Sequence, residues 1–421
     1  MGKARDPMFW KFRLYGFLKN LRFFDPFLIL FLREMGLSFL EIGALYSIRE
    51  ISTNILEIPT GVLADAFGRR KAMLTSFAAY LVSFALFYAL PRFWIYAIAM
   101  ILFAVGETFR SGTHKAMILE HLRQHGREAE KVAYYGRTRA ASQMGSAIAA
   151  LAAGALVLCA GSYRIVFLAS MVPYVFGMIL FLTYPRSLDG LQPRRDGGRF
   201  PHAVRCIGET LRDTFTSFRQ PDLLRGLVSS AGFDAIFKST KDYLQPILQT
   251  LALSLPILLS LSGEKRVAVL VGLMYFVIYI GTSLASSRAG HVAGRVRSLS
   301  AAANLTFALG IAALALAGGF AWGGLPVVAV AGYLVVYLVQ NLRRPILVGY
   351  LSELLTHRTM ATGLSIETQF RSLLMAAAAP ILGLMADRWG VGVGVLVTAA
   401  AGLGLLALLR VRPISERTAP R

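Results

Sequence analysis

Twelve apolar blocks, most of about 20–25 residues, follow one another along this 421-residue chain. A helix of that length spans a hydrocarbon layer of about 30 Å. The blocks lie near 10–33, 39–62, 72–90, 93–117, 134–159 and 163–184, then 223–250, 266–287, 299–320, 325–350, 361–385 and 391–410. Apolar residues make up 56% of the chain, against about 45–50% in soluble domains. The pattern predicts an all-α membrane protein with twelve transmembrane helices. The longest polar stretch, 185–222, separates the sixth block from the seventh. It divides the chain into a bundle over 1–184, a linker, and a bundle over 223–421. Val204, Ile207, Leu211, Phe215 and Phe218 recur there at helical spacing among arginines, which predicts an amphipathic helix on an anionic leaflet.

A net charge of +21 would suit nucleic acid, but its placement points to a bilayer. Arg69, Arg70, Lys71, Arg123, Arg127, Lys131, the linker arginines, Arg288, Arg295, Arg297, Arg410 and Arg412 fall in alternate connections. The opposite loops hold little charge, so the positive-inside rule places both termini in the cytoplasm. No cleavable leader is expected. Cys159 and Cys206 fit no metal or redox spacing, and His114, His121 and His125 are scattered. No phosphate-binding loop, metal cluster or nucleophile triad stands out. The expectation is no cofactor and no enzyme.

Between the second and third blocks stand Gly61, Asp65, Gly68, Arg69, Arg70 and Lys71. This spacing resembles the loop signature of the major facilitator superfamily, with Ala66 where a cation is usual. The resemblance implies two pseudo-symmetric six-helix bundles and transport by alternating access. It also implies that these six residues form a cytoplasmic gate, with Asp65 and Arg69 as its latch. Gly136, Gly145 and Gly154 keep the spacing of the family's helix-5 motif, but Ala149, Ala150 and Ala153 replace its later glycines and proline. What remains is a small-residue packing face. Gly383, Asp387, Arg388 and Gly390 copy half of the loop signature, lack its cations and fall on the outer side. An internal repeat is consistent with this family: one shift of 233 aligns Glu107 with Gln340, Arg110 with Arg343 and Glu120 with Glu353.

Ionisable groups at bilayer depth are costly and mark function or mutual pairing. This chain has many. The candidate substrate cavity holds Arg22, Asp25, Arg49, Arg110, Arg139, Asp234, Lys238, Lys241, Arg343, Glu367 and Arg371; the candidate proton carriers are Glu50, Glu57 and Glu107. Helical spacing lets Arg22 pair with Asp25, Glu107 with Arg110, Asp234 with Lys238, and Glu367 with Arg371. Arginine forks suit carboxylates and phosphates, and buried carboxyls can load protons. The sequence therefore points to a proton-coupled carrier of a small anionic or zwitterionic solute, acting as a monomer in a bacterial inner membrane. A multidrug–proton antiporter is the alternative within the family. A non-transporting sensor or assembly factor is the alternative of another class.

Overall fold

The computed structural model describes residues 6–189, 221–296, 298–354 and 360–412, and these contain helices and no strand. The amphipathic helix expected around 204–218 lies outside them. The chain starts with α1 (Pro7–Leu18), a 3-10 turn Asp25–Phe27 and α2 (Leu28–Glu34). Then come α3 (Phe39–Phe67), α4 (Arg69–Ala89), α5 (Phe93–Arg110), α6 (Thr113–Gln124), α7 (Lys131–Ala160) and α8 (Ile165–Leu182). After the linker follow α9 (Pro221–Thr240), a 3-10 turn Lys241–Tyr243 and α10 (Leu244–Ser254). The chain continues with α11 (Gly263–Gly294), α12 (Leu299–Trp322), α13 (Pro326–Leu354), α14 (Met360–Trp389) and α15 (Val391–Leu408).

Among the described residues, nine helical stretches are long and apolar enough to cross a membrane. The first, second and seventh expected spans are not among them. Two are broken rather than continuous. Pro26 cannot donate to a helix and restrains Asp25 before it, and the Asp25–Phe27 turn separates α1 from α2. The Lys241–Tyr243 turn separates α9 from α10 in the same way. The second span, α3, is long but carries Arg49, Glu50 and Glu57 in its middle. Ile55, Val172, Phe176 and Leu316 are more than half exposed, as lipid-facing residues are. Trp94 and Trp322 are exposed at helix ends, where amphipathic rings sit at the membrane–water interface.

The chain divides into two compact units. One is Met1–Phe31, Ile51–Ala203 and Leu259–Tyr279; the other is Leu32–Glu50, Val204–Leu258 and Ile280–Arg421. In the first unit α4 packs on α5 and α8, and α1 packs on α7. In the second, α12 packs on α13 and α15, and α9 packs on α14. By order along each half these are the same pairs, so the repeat seen in sequence extends to packing. Gly145 belongs to the tight crossing of α7 on α1, where a Cβ would lie 2.6 Å from the Phe17 carbonyl oxygen. Close backbone approach of this kind favours small residues between membrane helices.

Candidate functional site

Each unit holds a buried charged cluster. In the first, Glu107 on α5 is the centre. Its Oε2 accepts from Arg22 at 3.1 Å and from the Tyr80 hydroxyl at 2.6 Å. Its Oε1 accepts from Arg110, one turn on. Arg110 Nε also donates to the Tyr80 oxygen at 3.2 Å. Arg22 reaches this point because α1 has ended: it stands in the segment between α1 and the Asp25–Phe27 turn. Lys19 caps the end of α1 over the Tyr15 ring, 5.6 Å from its centroid. A cation there also meets the negative end of the helix dipole. Three cations thus gather near one central carboxylate. Glu107 keeps 35% of its side-chain surface and Arg22 22%, so the cluster is not fully sealed.

In the second unit, Asp234 on α9 accepts from Gln340 of α13 and, at 3.3 Å, from Arg371 of α14. The Glu367 carboxylate accepts from Ser230 at 3.1 Å. Arg343 donates to the Ala303 carbonyl, to Thr306, and to Ser229 through its carbonyl at 3.2 Å and its hydroxyl at 3.0 Å. Its guanidinium lies 5.0 Å from the Phe233 ring centroid and 4.8 Å from that of Phe307. At the α9–α10 break, Lys241 pairs with Asp242, which also accepts from Tyr46 of α3 at 3.1 Å. Arg49 pairs with Glu50 at 3.1 Å and lies over the Tyr46 ring.

Of the pairs expected from helical spacing, Glu107–Arg110 is joined by a direct bond, and partners from other helices add to the rest. Arg22 bonds to Glu107, and Asp234 bonds to Gln340 and Arg371. Spacing along one helix cannot anticipate a partner supplied by another. Lys238 stands one turn from Asp234 on α9, Glu57 lies within α3, and Arg139 is exposed on α7. Tyr80 was missed; as a buried tyrosine in an apolar helix it carries no signal until its partner is known.

The loop signature forms the α3–α4 turn. Gly68 supplies the turn with φ 100°, a conformation suited to glycine. Gly68, the N-cap of α4, has no side chain to cap it. Asp189 caps it instead, accepting from the Arg70 N–H at 2.7 Å. Arg70 donates to the Leu182 carbonyl at 2.6 Å, and Arg69 reaches the Ala116 carbonyl at 3.4 Å. Gly61 lies in α3 and Lys71 is exposed on α4. The Asp65 side chain lies outside the described residues. The half-signature at 383–390 has a partner too. Asp387 accepts from the N–H groups of Phe39 and Leu40 at 2.9 and 2.8 Å, at the first turn of α3. Ser38 and Glu41 complete that helix start, each side chain bonding the other's N–H at 3.1 and 2.8 Å, a capping box.

An all-helical membrane fold, two broken helices and paired charged clusters define the class of secondary transporters. The model of the Major Facilitator Superfamily matches residues 18–370, and the chain belongs to that superfamily. It is 33% identical over 90 residues to the MFS-type transporter YxaM of Bacillus subtilis (strain 168). That match covers 21% of this chain and 23% of the relative, so the chain spans under a quarter of that relative's length. Among solved structures it resembles the nucleoside transporter NupG, with TM-score 0.75 and 13% identity over 96% of this chain and 98% of that one. A peptide transporter POT gives TM-score 0.70 and 15% identity over 97% and 95%. A D-xylose-proton symporter gives TM-score 0.68 and 14% identity over 98% and 97%. Likeness at these identities is likeness of fold.

Proposed function

We propose that the chain is a proton-coupled carrier of a small anionic or zwitterionic solute, working by alternating access in a bacterial inner membrane with both termini cytoplasmic. It needs no cofactor and performs no catalysis, and it functions as a monomer. The observation that carries this reading is the gathering of Lys19, Arg22 and Arg110 around the single carboxylate of Glu107. Glu107 occupies the place a substrate carboxylate would take. A substrate anion that takes both guanidinium groups from Glu107 would leave its carboxylate free to accept a proton. Proton and anion would then load together, and the net charge at the site would stay unchanged. Solute and proton are thereby coupled through one exchange of partners. Glu50 and Glu57 remain candidate proton carriers, Asp25, Arg49, Arg139, Lys238 and Lys241 candidate substrate-cavity residues, and Asp65 with Arg69 the candidate gate latch. The fold's known relatives carry nucleosides, peptides and a sugar by name, so the solute class rests on the cluster and not on the fold.

The test is flux into proteoliposomes under a pH gradient, with organic acids and zwitterions in one arm and lipophilic cations in the other. Organic acids or zwitterions should move, and Arg110→Gln should cut their flux by about 100-fold, the order expected for losing charge-assisted bonds of about 1.5–3 kcal/mol. Lipophilic-cation flux that survives Arg110→Gln, with no acid flux in the native protein, would replace this reading with drug export.

A further inference from the structure

Away from both charged clusters, the second unit contains a cavity of about 400 Å³ where α12 begins and α15 ends. Arg225 of α9, Ser298, Ser300 and Asn304 around the start of α12, and Arg410 and Arg412 beyond α15 line it. Three arginines line one small volume, and no carboxylate is among its lining residues within the described chain. The nearest acid bonded to any of them is Asp222, whose Oδ1 stands 3.9 Å from Arg225. That contact is a loose one, outside hydrogen-bond range.

The arginines beyond α15 are not on a loose tail. Asn304 clamps Val411 from both sides: its Nδ2 donates to the Val411 carbonyl at 2.8 Å and its Oδ1 accepts from the Val411 N–H at 3.0 Å. The Tyr350 hydroxyl donates to the Arg412 carbonyl at 3.1 Å. Val411 is buried against Leu223, Leu227 and Tyr350. The apolar residue turns into the core while its two arginine neighbours line the cavity. The Ser298 and Ser300 hydroxyls lie 2.9 Å apart on the same wall. Cations that line one cavity repel one another, and an anion among them relieves that repulsion. Guanidinium forks with nearby hydroxyls match the several acceptor oxygens of a phosphate group better than a single carboxylate.

We infer that this cavity is a binding site for a phosphate group, presented by an anionic phospholipid headgroup or by a soluble phosphorylated compound. Basic pockets between membrane helices on the cytoplasmic side bind anionic headgroups, and the orientation proposed above puts this end of the unit there. The site is separate from the Glu107 cluster, so its test does not depend on transport.

The test uses the full chain in neutral detergent. One arm titrates inorganic phosphate, the second phosphatidylglycerol, and the third phosphatidylcholine as a control. Thermal stability reports occupancy in each, and native mass spectrometry counts retained lipid. One molar equivalent of phosphatidylglycerol or saturable phosphate stabilisation is expected, the arm that responds naming the source. Arg410→Gln with Arg412→Gln should weaken that response at least tenfold, and Arg225→Gln should weaken it independently. The clamp is made through main-chain atoms, so neutral side chains leave it intact. Arg388→Gln, an exposed arginine elsewhere, should change nothing. Native affinity in both the double variant and Arg225→Gln, or no response to either phosphate source, would overturn the inference.

Discussion

The same two repeat positions do different work in the two units. In the first, Glu107 and Arg110 bond to each other, and 35% and 14% of their side-chain surfaces remain exposed. In the second, Gln340 and Arg343 take those places. Gln340 has no charge, and the acid has moved to α9 as Asp234. Arg343 is 2% exposed and bonds to oxygens of α12 and α9 between two phenyl rings. One arginine belongs to an ion cluster that keeps some solvent access; the other fastens three helices. The repeat therefore supplies matching positions, while partners from other helices decide what each residue does. On the function proposed above, Arg110 binds and Arg343 holds.

The largest expected effect breaks this comparison at its arginines. Arg343→Ala should lower stability by about 3 kcal/mol, from lost buried hydrogen bonds and a cavity between the rings. Arg110→Ala should remove flux and cost less stability than Arg343→Ala, because Arg22 and Tyr80 still bond the Glu107 carboxylate. Detergent unfolding curves beside proteoliposome flux separate the two. If both variants lose flux and neither loses stability, the division into binding and holding fails.

The next effect concerns the acids. Gln340→Glu would set a second carboxylate against Asp234, and like charges that close are costly unless one is protonated. A loss of about 2 kcal/mol at neutral pH is expected, shrinking as the pH is lowered. Glu107→Gln should instead keep the fold and make solute binding insensitive to pH. Binding measured across pH on the purified variants gives the answer. Unaltered pH dependence in Glu107→Gln would remove Glu107 from the coupling.

A smaller pair sharpens the comparison at the helix starts. Asp189 caps α4 in the first unit and Asp387 caps α3 in the second. Replacing either by Ala should cost about 1 kcal/mol, the ordinary worth of a carboxylate cap. Asp387→Ala should also speed backbone-amide exchange at Phe39 and Leu40, while Asp189→Ala should do so at Arg70. Exchange that spreads along the whole helix in either variant would mean that the carboxylate supports more than its first turn.

Much of this was legible in the chain. Block length and charge placement gave the membrane class, and the 61–71 spacing led to the superfamily. The shift of 233 led to matching positions in the two halves. Partners were the part that did not show. Arg22 meets Glu107 across 85 residues, and Arg371 meets Asp234 across 137. No local period encodes such distances. The breaks in the first and seventh spans were half visible: Asp25-Pro26 is a turn signal, but apolar length on both sides masked it. Asp387 sat in a recognised half-signature, yet its partner is the start of α3, 347 residues away. The cavity at Arg410 and Arg412 was seen only as two loop cations, because the Asn304 clamp that places them is a contact of the fold.

The smallest expected effect lies outside the membrane, where α1 begins. Asp6 caps α1 and also accepts from His121 at 3.1 Å and Arg127 at 2.9 Å. Burial alone would raise its carboxyl, but hydrogen bonds from His121 and the Phe9 N–H outweigh that and hold it below its ordinary value of 3.8. A carboxyl lowered on folding stabilises the fold fully above its unfolded value, and that contribution fades as pH falls through the lower folded value. Asp6→Asn should therefore cost about 0.5 kcal/mol at pH 7, because asparagine still caps the helix and only the charge assistance to its bonds is lost. The native and variant unfolding temperatures should converge only below about pH 4, where the unfolded carboxyl itself takes up a proton. A gap that persists unchanged to about pH 3 would show that the Asp6 carboxylate is not what fastens the first unit's entry.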